Sequence, residues 1–143
     1  MNNLTKTAIS GGNIRRSRVV YMSDQFTVLE MSVATSFPPF GIVQDNSRKA
    51  PGTAFDTSLF AAASGDELLV WAAGSVALAE CGNTVTAGKM VTVDSTARII
   101  NSTYGAATSL PVLFGWEVGK ALENGAAGDM IRIEVMPQRA STS

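Results

Sequence analysis

The sequence predicts one all-β domain, a small barrel or a sandwich, and three observations support this fold class. A pattern of a small residue, a glycine, a charged residue and a strand occurs three times, around Gly65, Gly88 and Gly128. About eight short apolar segments are separated by turn residues, and none gives a confident helix. A length of 143 residues fits one domain whose single core needs no metal or disulfide.

The three glycine-led copies are predicted to begin three strands with the same turn. The third and fifth residues after each glycine are aliphatic, which is the period of a strand with one buried face. These residues are Leu68 and Val70, Val91 and Val93, and Ile131 and Ile133. Glycine tolerates a positive φ where the chain reverses, so each glycine is expected there. The glycines are 23 and 40 residues apart, which is too irregular for a solenoid or propeller.

Residues 1–18 are predicted to form an extended N-terminal arm that precedes the β domain of residues 19–137. The segment is rich in Asn, Thr, Ser and Gly, has no apolar period, and cannot bury enough surface to order itself. The first twenty residues contain basic but no acidic side chains, namely Lys6, Arg15, Arg16 and Arg18. A frayed terminus is the alternative, and the arginines favour an arm that a neighbouring molecule orders.

The first part of the domain is predicted to contain three strands and a long loop. Residues 19–22 are β-branched and aromatic, which is typical of a strand. Residues 26–34 fit either a helix or a strand, and the strand is preferred. Residues 41–44 form a further short strand, and residues 45–58 form a long loop of the kind that often serves a partner.

Hairpins are predicted for the second part of the domain. The first glycine-led strand runs to Trp71 and is expected to pair with Val76–Glu80 after a turn at Gly74. The second, residues 89–93, is followed by a turn and by a strand at residues 98–100.

The C-terminal part is predicted to add further strands and a disordered tail. Residues 111–115 and 116–122 are expected to be extended, with Val118, Ala121 and Leu122 facing inward. In residues 130–135, Ile131, Ile133 and Val135 are expected in the core, while Arg132 and Glu134 face water. Pro137 is expected to end this strand, and residues 138–143 are expected to be disordered.

The composition favours a protein whose surface is partly covered by a partner. Charged residues make up 16% of the chain, against about 25% in an average soluble domain, and 45% of the residues are hydrophobic. A compact monomer with a surface of Ser, Thr and Asn is the alternative. The N-terminus has no apolar region typical of a secretion signal, and residues 68–79 are too short for a membrane span of about 20 residues. Neither secretion nor a membrane is expected.

The residue types exclude most catalytic schemes. The chain has no histidine, which removes the Ser-His-Asp and Cys-His schemes and the commonest metal ligand. Cys81 is the only cysteine, and a buried structural thiol is the preferred interpretation. Residues 115–121 and 82–90 resemble phosphate-binding loops, but both have the wrong spacing and lack the final hydroxyl. No catalytic, cofactor-binding or metal-binding residue is therefore predicted.

The two tryptophans allow two interpretations. Trp71 and Trp116 lie in apolar segments, which favours a place in the core, and a sugar-stacking platform is the alternative.

A set of glycine-rich and aliphatic segments carries a resemblance to a known family. They are Arg18-Val19-Val20, Phe40-Gly41-Ile42-Val43-Gln44-Asp45 with Ala50-Pro51-Gly52, Ala63-Ser64-Gly65-Asp66, Gly82-Asn83-Thr84-Val85-Thr86-Ala87-Gly88, Gly119-Lys120-Ala121-Leu122 and Ala127-Gly128-Asp129-Met130-Ile131-Arg132-Ile133. Over roughly residues 18–137 the chain resembles the capsid cement (head decoration) proteins of tailed bacteriophages. Lys89 departs from the family's usual acidic residue, and residues 94–97 lack its usual Asp-Gly turn.

The resemblance implies a β-barrel or β-tulip-like sandwich and a structural virion protein that is not an enzyme and needs no cofactor. Such proteins are synthesised in the bacterial host cytoplasm and form homotrimers on the outer surface of the mature head. There they clamp neighbouring major capsid subunits, and neither nucleic acid nor a membrane is expected as a partner. The basic residues of the arm and the long loop are hypothesised to contact the capsid or a neighbouring protomer; they are Arg15, Arg16, Arg18, Arg48 and Lys49. A tail or fibre-base module and a carbohydrate-binding domain are the alternatives.

Overall fold

The computed structural model describes residues 5–32, 37–44, 60–62, 64–102 and 115–140, and this part of the chain contains twelve strands and no helix. The strands are β1 (Thr5–Ser10), β2 (Ile14–Arg15), β3 (Arg18–Met22), β4 (Thr27–Glu30), β5 (Pro39–Val43), β6 (Phe60–Ala62), β7 (Glu67–Ala72), β8 (Val76–Glu80), β9 (Met90–Val93), β10 (Ile99–Asn101), β11 (Gly115–Ala121) and β12 (Met130–Ala140). The all-β prediction is confirmed, and residues 26–34 contribute a strand at β4.

The strands form a closed barrel and a second sheet that packs beside it. The barrel has the order β1-β4-β3-β5-β7, in which only the β1–β4 pair is parallel. The second sheet has the order β10-β9-β11-β12-β8, and its pairs are antiparallel. A parallel bridge between Cys81 and Ile99 brings its two edges together. Strands β2 and β6 form a separate antiparallel pair.

The barrel and the second sheet have different cores, and strands β3 and β5 contribute to both. Val20 and Val43 point into the barrel, where they pack with Leu68 and Val70. Their neighbours Val19 and Ile42 point the other way, into a larger cluster beneath the second sheet. All four residues of β3 and β5 named here are fully buried. Because successive side chains of a strand face opposite sides, these two strands join the two cores into one unit.

The glycine-led turns are confirmed as the start of three strands. Gly65, Gly88 and Gly128 have φ values of 90°, 87° and 90°. The aliphatic residues predicted to follow them are all buried, with at most 3% of their surface exposed; they are Leu68, Val70, Val91, Val93, Ile131 and Ile133. The left-handed conformation, which costs a residue with a side chain more than it costs glycine, explains the glycine at each turn.

The prediction of an extended arm is wrong for residues 5–18. Strand β1 pairs with β7 from Thr5 opposite Trp71 to Ile9 opposite Glu67, and it also pairs with β4. Ala8 and Ile14 are buried in the barrel core. Main-chain hydrogen bonds to two neighbouring strands hold this segment, and such bonds leave no apolar pattern in the sequence.

The predicted hairpin between β7 and β8 is also wrong, because the chain changes sheets between them. Gly74 has a φ of 93°, and its N–H donates to the carbonyl of Val135 over 2.9 Å. Val135 in turn donates to the carbonyl of Ser75 over 2.8 Å. The turn therefore transfers the chain from the barrel to the second sheet, where all five residues of β8 pair with residues 130–134 of β12.

Two predictions for the C-terminal part need correction. Pro137 does not end β12. The pairing with β11 shifts register at this point, since Glu117 pairs with Gln138 and Gly119 pairs with Val135. Pro137 lies in the resulting β-bulge, where a proline is tolerated. Strand β12 therefore runs to Ala140, so residues 138–140 are not a disordered tail. Leu122 is 39% exposed and not inward, whereas Val118 and Ala121 are buried as predicted. Residues 45–58, 111–114 and 141–143, for which a loop, a strand and a tail are predicted, lie outside the described residues.

Candidate protein-interaction site

Arg15, which was predicted to contact a partner, lies at the junction of the barrel and the second sheet. Its guanidinium donates to the carboxylate of Glu30 over 2.7 Å and to the carbonyl of Thr96 over 3.2 Å. Its backbone N–H donates to the same carboxylate over 2.6 Å. The hydrogen bond with Glu30 is the main cause that raises the pKa of Arg15 above its ordinary value. The charge of Arg15 is therefore balanced inside the domain.

Among the described arginines that were predicted to contact a partner, Arg18 is the most buried, and 8% of its surface is exposed. It donates to the carbonyl of Thr96 over 2.9 Å and to the carboxylate of Glu80 over 3.2 Å. Arg98 lies 3.7 Å from the other oxygen of Glu80 and 3.3 Å from Asp94. Together with the Arg15–Glu30 pair, these residues form a junction network of three guanidinium groups and three carboxylates.

Asp94 holds the turn that the junction network attaches to the barrel. One of its oxygens accepts hydrogen bonds from the N–H groups of Thr96 and Arg98, over 2.7 and 3.1 Å, and from the Thr96 hydroxyl. Burial alone would raise the pKa of Asp94, but these hydrogen bonds and the Arg98 charge outweigh it and hold the pKa below its ordinary value. The carbonyl of Ala97 then accepts from the N–H of Val19 over 3.0 Å.

The structure thus assigns Arg15 and Arg18 to the joint between the two sheets. Arg16 lies half-buried in the turn between β2 and β3. Arg48 and Lys49 lie outside the described residues, and their contact with a partner stays a prediction. Sequence reasoning missed the acidic partners because Glu80 is 62 residues from Arg18 and Glu30 is 15 from Arg15.

The described residues contain no group of three or more acidic or cysteine side chains arranged to hold a metal ion. Cys81 is fully buried, and burial raises the pKa of its thiol, with smaller contributions from the charges of Asp129 and Glu80. The thiol is therefore a poor nucleophile. Residues 115–121 form strand β11, which lacks the loop and helix of a phosphate-binding site.

Trp71 and Trp116 are half-buried and pack against the larger cluster, which confirms the core interpretation. Over the described ranges, there is no helix with the length and apolarity that a membrane crossing requires.

One end of the barrel carries four aromatic side chains, of which Phe26 and Phe37 are exposed and Tyr21 and Phe40 are half-buried. This aromatic end consists of residues 21–26 and 37–40 together with Thr5, Lys6, Ala72, Ala73 and Pro137. Strand pairing brings these segments together, because Tyr21 lies opposite Pro39, Gly41 opposite Ala72, and Thr5 opposite Trp71. It carries the two most exposed large hydrophobic side chains in the described part of the chain, Phe26 at 66% and Phe37 at 55%.

Phe26 stands on a β-hairpin tip that hydrogen bonds hold rigid. The carboxylate of Asp24 accepts from the N–H groups of Phe26 and Thr27 over 2.9 and 3.0 Å. The hydrogen bond from Phe26 is the main reason why the pKa of Asp24 is below its ordinary value. Ser23 bonds across the turn to Thr27, and Ile9 of β1 donates to the carbonyl of Phe26, both over 2.8 Å. These bonds therefore hold the backbone of the tip that carries the exposed Phe26 ring.

Phe37 is also fixed, because its ring stacks on that of Tyr21 with the centroids 5.8 Å apart. An open cavity of about 550 Å³ lies at the same end. Its lining is mostly apolar and consists of Thr5, Lys6, Pro39, Phe40, Ala72, Ala73 and Pro137. The sequence shows these aromatic residues only as isolated positions between turns and prolines, so the pattern gave no signal for the site.

No family model matches the chain, and no curated protein matches its sequence. The fold is similar to that of the N base of head fiber gp8.5 in bacteriophage phi29, a crystal structure. The TM-score is 0.60 and the identity 12%, and the match covers 94% of this chain and 95% of that chain. The two proteins therefore share the fold over nearly their whole lengths.

Proposed function

We propose that this chain is a structural protein of a bacteriophage head. The observation that carries the proposal is the shared fold with the base of a phage head fibre over 94% of the chain. The glycine-led segments that resemble those of head decoration proteins agree with this proposal. The proposal gives the chain no catalytic role and no cofactor.

In its finer form, the proposal is a cement protein that sits as a homotrimer on the outer surface of the mature head and stabilises contacts between major capsid subunits. The exposed aromatic end of this chain and its low content of charged residues support this form of the proposal, because both are typical of a surface that a partner covers. Arg16, Arg48 and Lys49 are proposed as secondary contacts with the capsid or a neighbouring protomer.

The second candidate is the base of a head fibre. The similar phi29 structure favours it, because that structure is itself the N base of a head fibre. A cement protein is expected to stabilise the head, whereas a fibre base is expected to carry a fibre and need not stabilise the head. The two candidates therefore differ in their effect on the head and not in the fold.

Electron microscopy of heads assembled without this chain, before and after addition of the purified protein, tests the proposal. Regular decoration of the lattice, together with heads that retain DNA at higher temperature, supports the cement role. Decoration with no gain in head stability supports the fibre base. Absence of the protein from heads after both assembly and addition overturns the proposal.

Sedimentation of the free protein tests the trimer. Closed symmetry is the usual way to cover exposed apolar surface, and the resemblance to decoration proteins implies three copies, so a trimer is expected at micromolar concentration. A monomer across that range contradicts this part of the proposal.

A further inference from the structure

We propose that the aromatic end of the barrel is the surface that attaches this protein to the head, and that its partner is an uncharged apolar surface of the major capsid protein. The inference rests on the proposed function and deepens it by assigning the contact to named residues. It replaces attachment through arm arginines, two of which are used within the domain.

The charges of the aromatic end set the chemistry of the partner. Lys6 and Asp24 are its only charged residues, and their charges are opposite. A strongly acidic or basic partner would gain no electrostatic attraction from this neutral surface. The small number of basic side chains also disfavours nucleic acid as a partner. An uncharged apolar partner would bury the exposed phenylalanine side chains, while Asp24 keeps its hydrogen bonds to the turn and the exposed Lys6 keeps its ammonium group in water. Aromatic enrichment with few charges is the composition of the centre of a protein–protein interface.

The outer face of the second sheet lacks this composition, although it also exposes apolar residues. Leu78 is 45% and Met130 is 48% exposed. Arg132, which lies opposite Leu78, is charged and forms an exposed ion pair with Glu123. Apolar and charged side chains alternate here, as on an ordinary solvated face.

The rigidity of the aromatic end also suits a binding surface. Asp24 fixes the backbone of Phe26, and stacking on Tyr21 fixes the ring of Phe37. Binding therefore requires little ordering of the hairpin backbone or of the Phe37 ring, which limits its entropic cost. The cavity at the same end of the barrel, about 550 Å³ in volume, can take an apolar side chain of the partner.

Substitution of the two exposed phenylalanines tests the assignment. Phe26→Ala and Phe37→Ala, singly and together, are compared with Leu78→Ala and Leu122→Ala on the second sheet. All four side chains are substantially exposed, so the variants are expected to fold, which thermal unfolding checks. Occupancy on heads assembled without this chain is measured as a function of protein concentration. We expect each Phe variant to need about tenfold more protein for half occupancy, and the Leu variants to stay within about twofold of the parent.

A salt series separates an apolar contact from an ionic one. Attachment through the aromatic end is expected to survive 1 M NaCl and to strengthen in ammonium sulfate, since sulfate favours burial of apolar surface. Loss of attachment in NaCl, or normal attachment of the double Phe variant, overturns the inference and leaves the proposed function intact. Loss of self-association by the Phe variants in sedimentation assigns the aromatic end to a second copy of the chain and also overturns it. If the parent binds no head, the proposed function fails and this inference fails with it.

Discussion

The barrel and the second sheet each pack around an apolar core, and the two cores differ in size and in residue types. The barrel interior holds a small cluster of aliphatic residues, which includes Val20, Val28 and Leu68. The cluster beneath the second sheet is larger and recruits Tyr21, Trp71 and Trp116 at its margin. The barrel leaves aromatic residues at its open end, whereas the second sheet exposes isolated Leu and Met side chains among charges. The second sheet thus covers the larger part of the buried core, and the barrel carries the surface proposed for binding.

The largest expected loss of stability follows substitutions in the two cores, which are expected to unfold in one transition. Ile133→Ala in the second sheet and Leu68→Ala in the barrel are each expected to lower the free energy of unfolding by about 2–5 kcal/mol. Both side chains are buried, and β3 and β5 link their clusters. Urea unfolding followed by tryptophan fluorescence and by circular dichroism is expected to show one shared transition in both variants. Separate transitions for the two probes would mean that the barrel and the sheet fold independently.

A smaller effect is expected at the repeated turn. Gly128 has a φ of 90°, and a Cβ there would meet no atom within 4 Å, so only backbone strain opposes a side chain. Gly128→Val is therefore expected to cost about 1–3 kcal/mol, measured by urea unfolding. Asp66→Asn, in the corresponding turn of the barrel, serves as the control and is expected to cost much less. Equal losses would show that the turn charge, and not the glycine, sets the strand start.

Substitutions in the junction network test how strongly it stabilises the contact between the barrel and the second sheet. Glu80→Gln leaves Arg18 and Arg98 without their shared carboxylate, and we expect a loss of about 1–3 kcal/mol because Arg18 is buried. Glu123→Gln removes the exposed partner of Arg132 and is expected to cost less than about 1 kcal/mol. Chemical unfolding at neutral pH measures both. An equal cost for the two variants would argue that burial at the junction adds nothing.

The smallest effect is a dependence of stability on pH through Asp94. Its folded pKa lies below the unfolded value of 3.8, so its stabilising contribution is complete above that value and is lost as pH falls through the folded pKa. Asp94→Asn is expected to reduce the drop in unfolding free energy that the parent shows between about pH 6 and pH 2. Because Asp24 and Glu123 also have lowered pKa values, the relevant quantity is the difference between parent and variant. Parallel pH curves for the two proteins would contradict this contribution of Asp94.

The sequence by itself determined the fold class, the glycine-led turns and much of the core. Alternating aliphatic residues after Gly65, Gly88 and Gly128 identify both a strand and its buried face, since the side-chain period of a strand is local. Only the tertiary structure decided which strands pair, that β1 belongs to the barrel, and that β7 and β8 lie in different sheets. Pairing depends on main-chain groups distant along the chain, and these are the same for every residue type except proline. For the same reason the acidic partners of Arg15 and Arg18 and the assembly of the aromatic end came from the fold, which brings separate segments of the chain together.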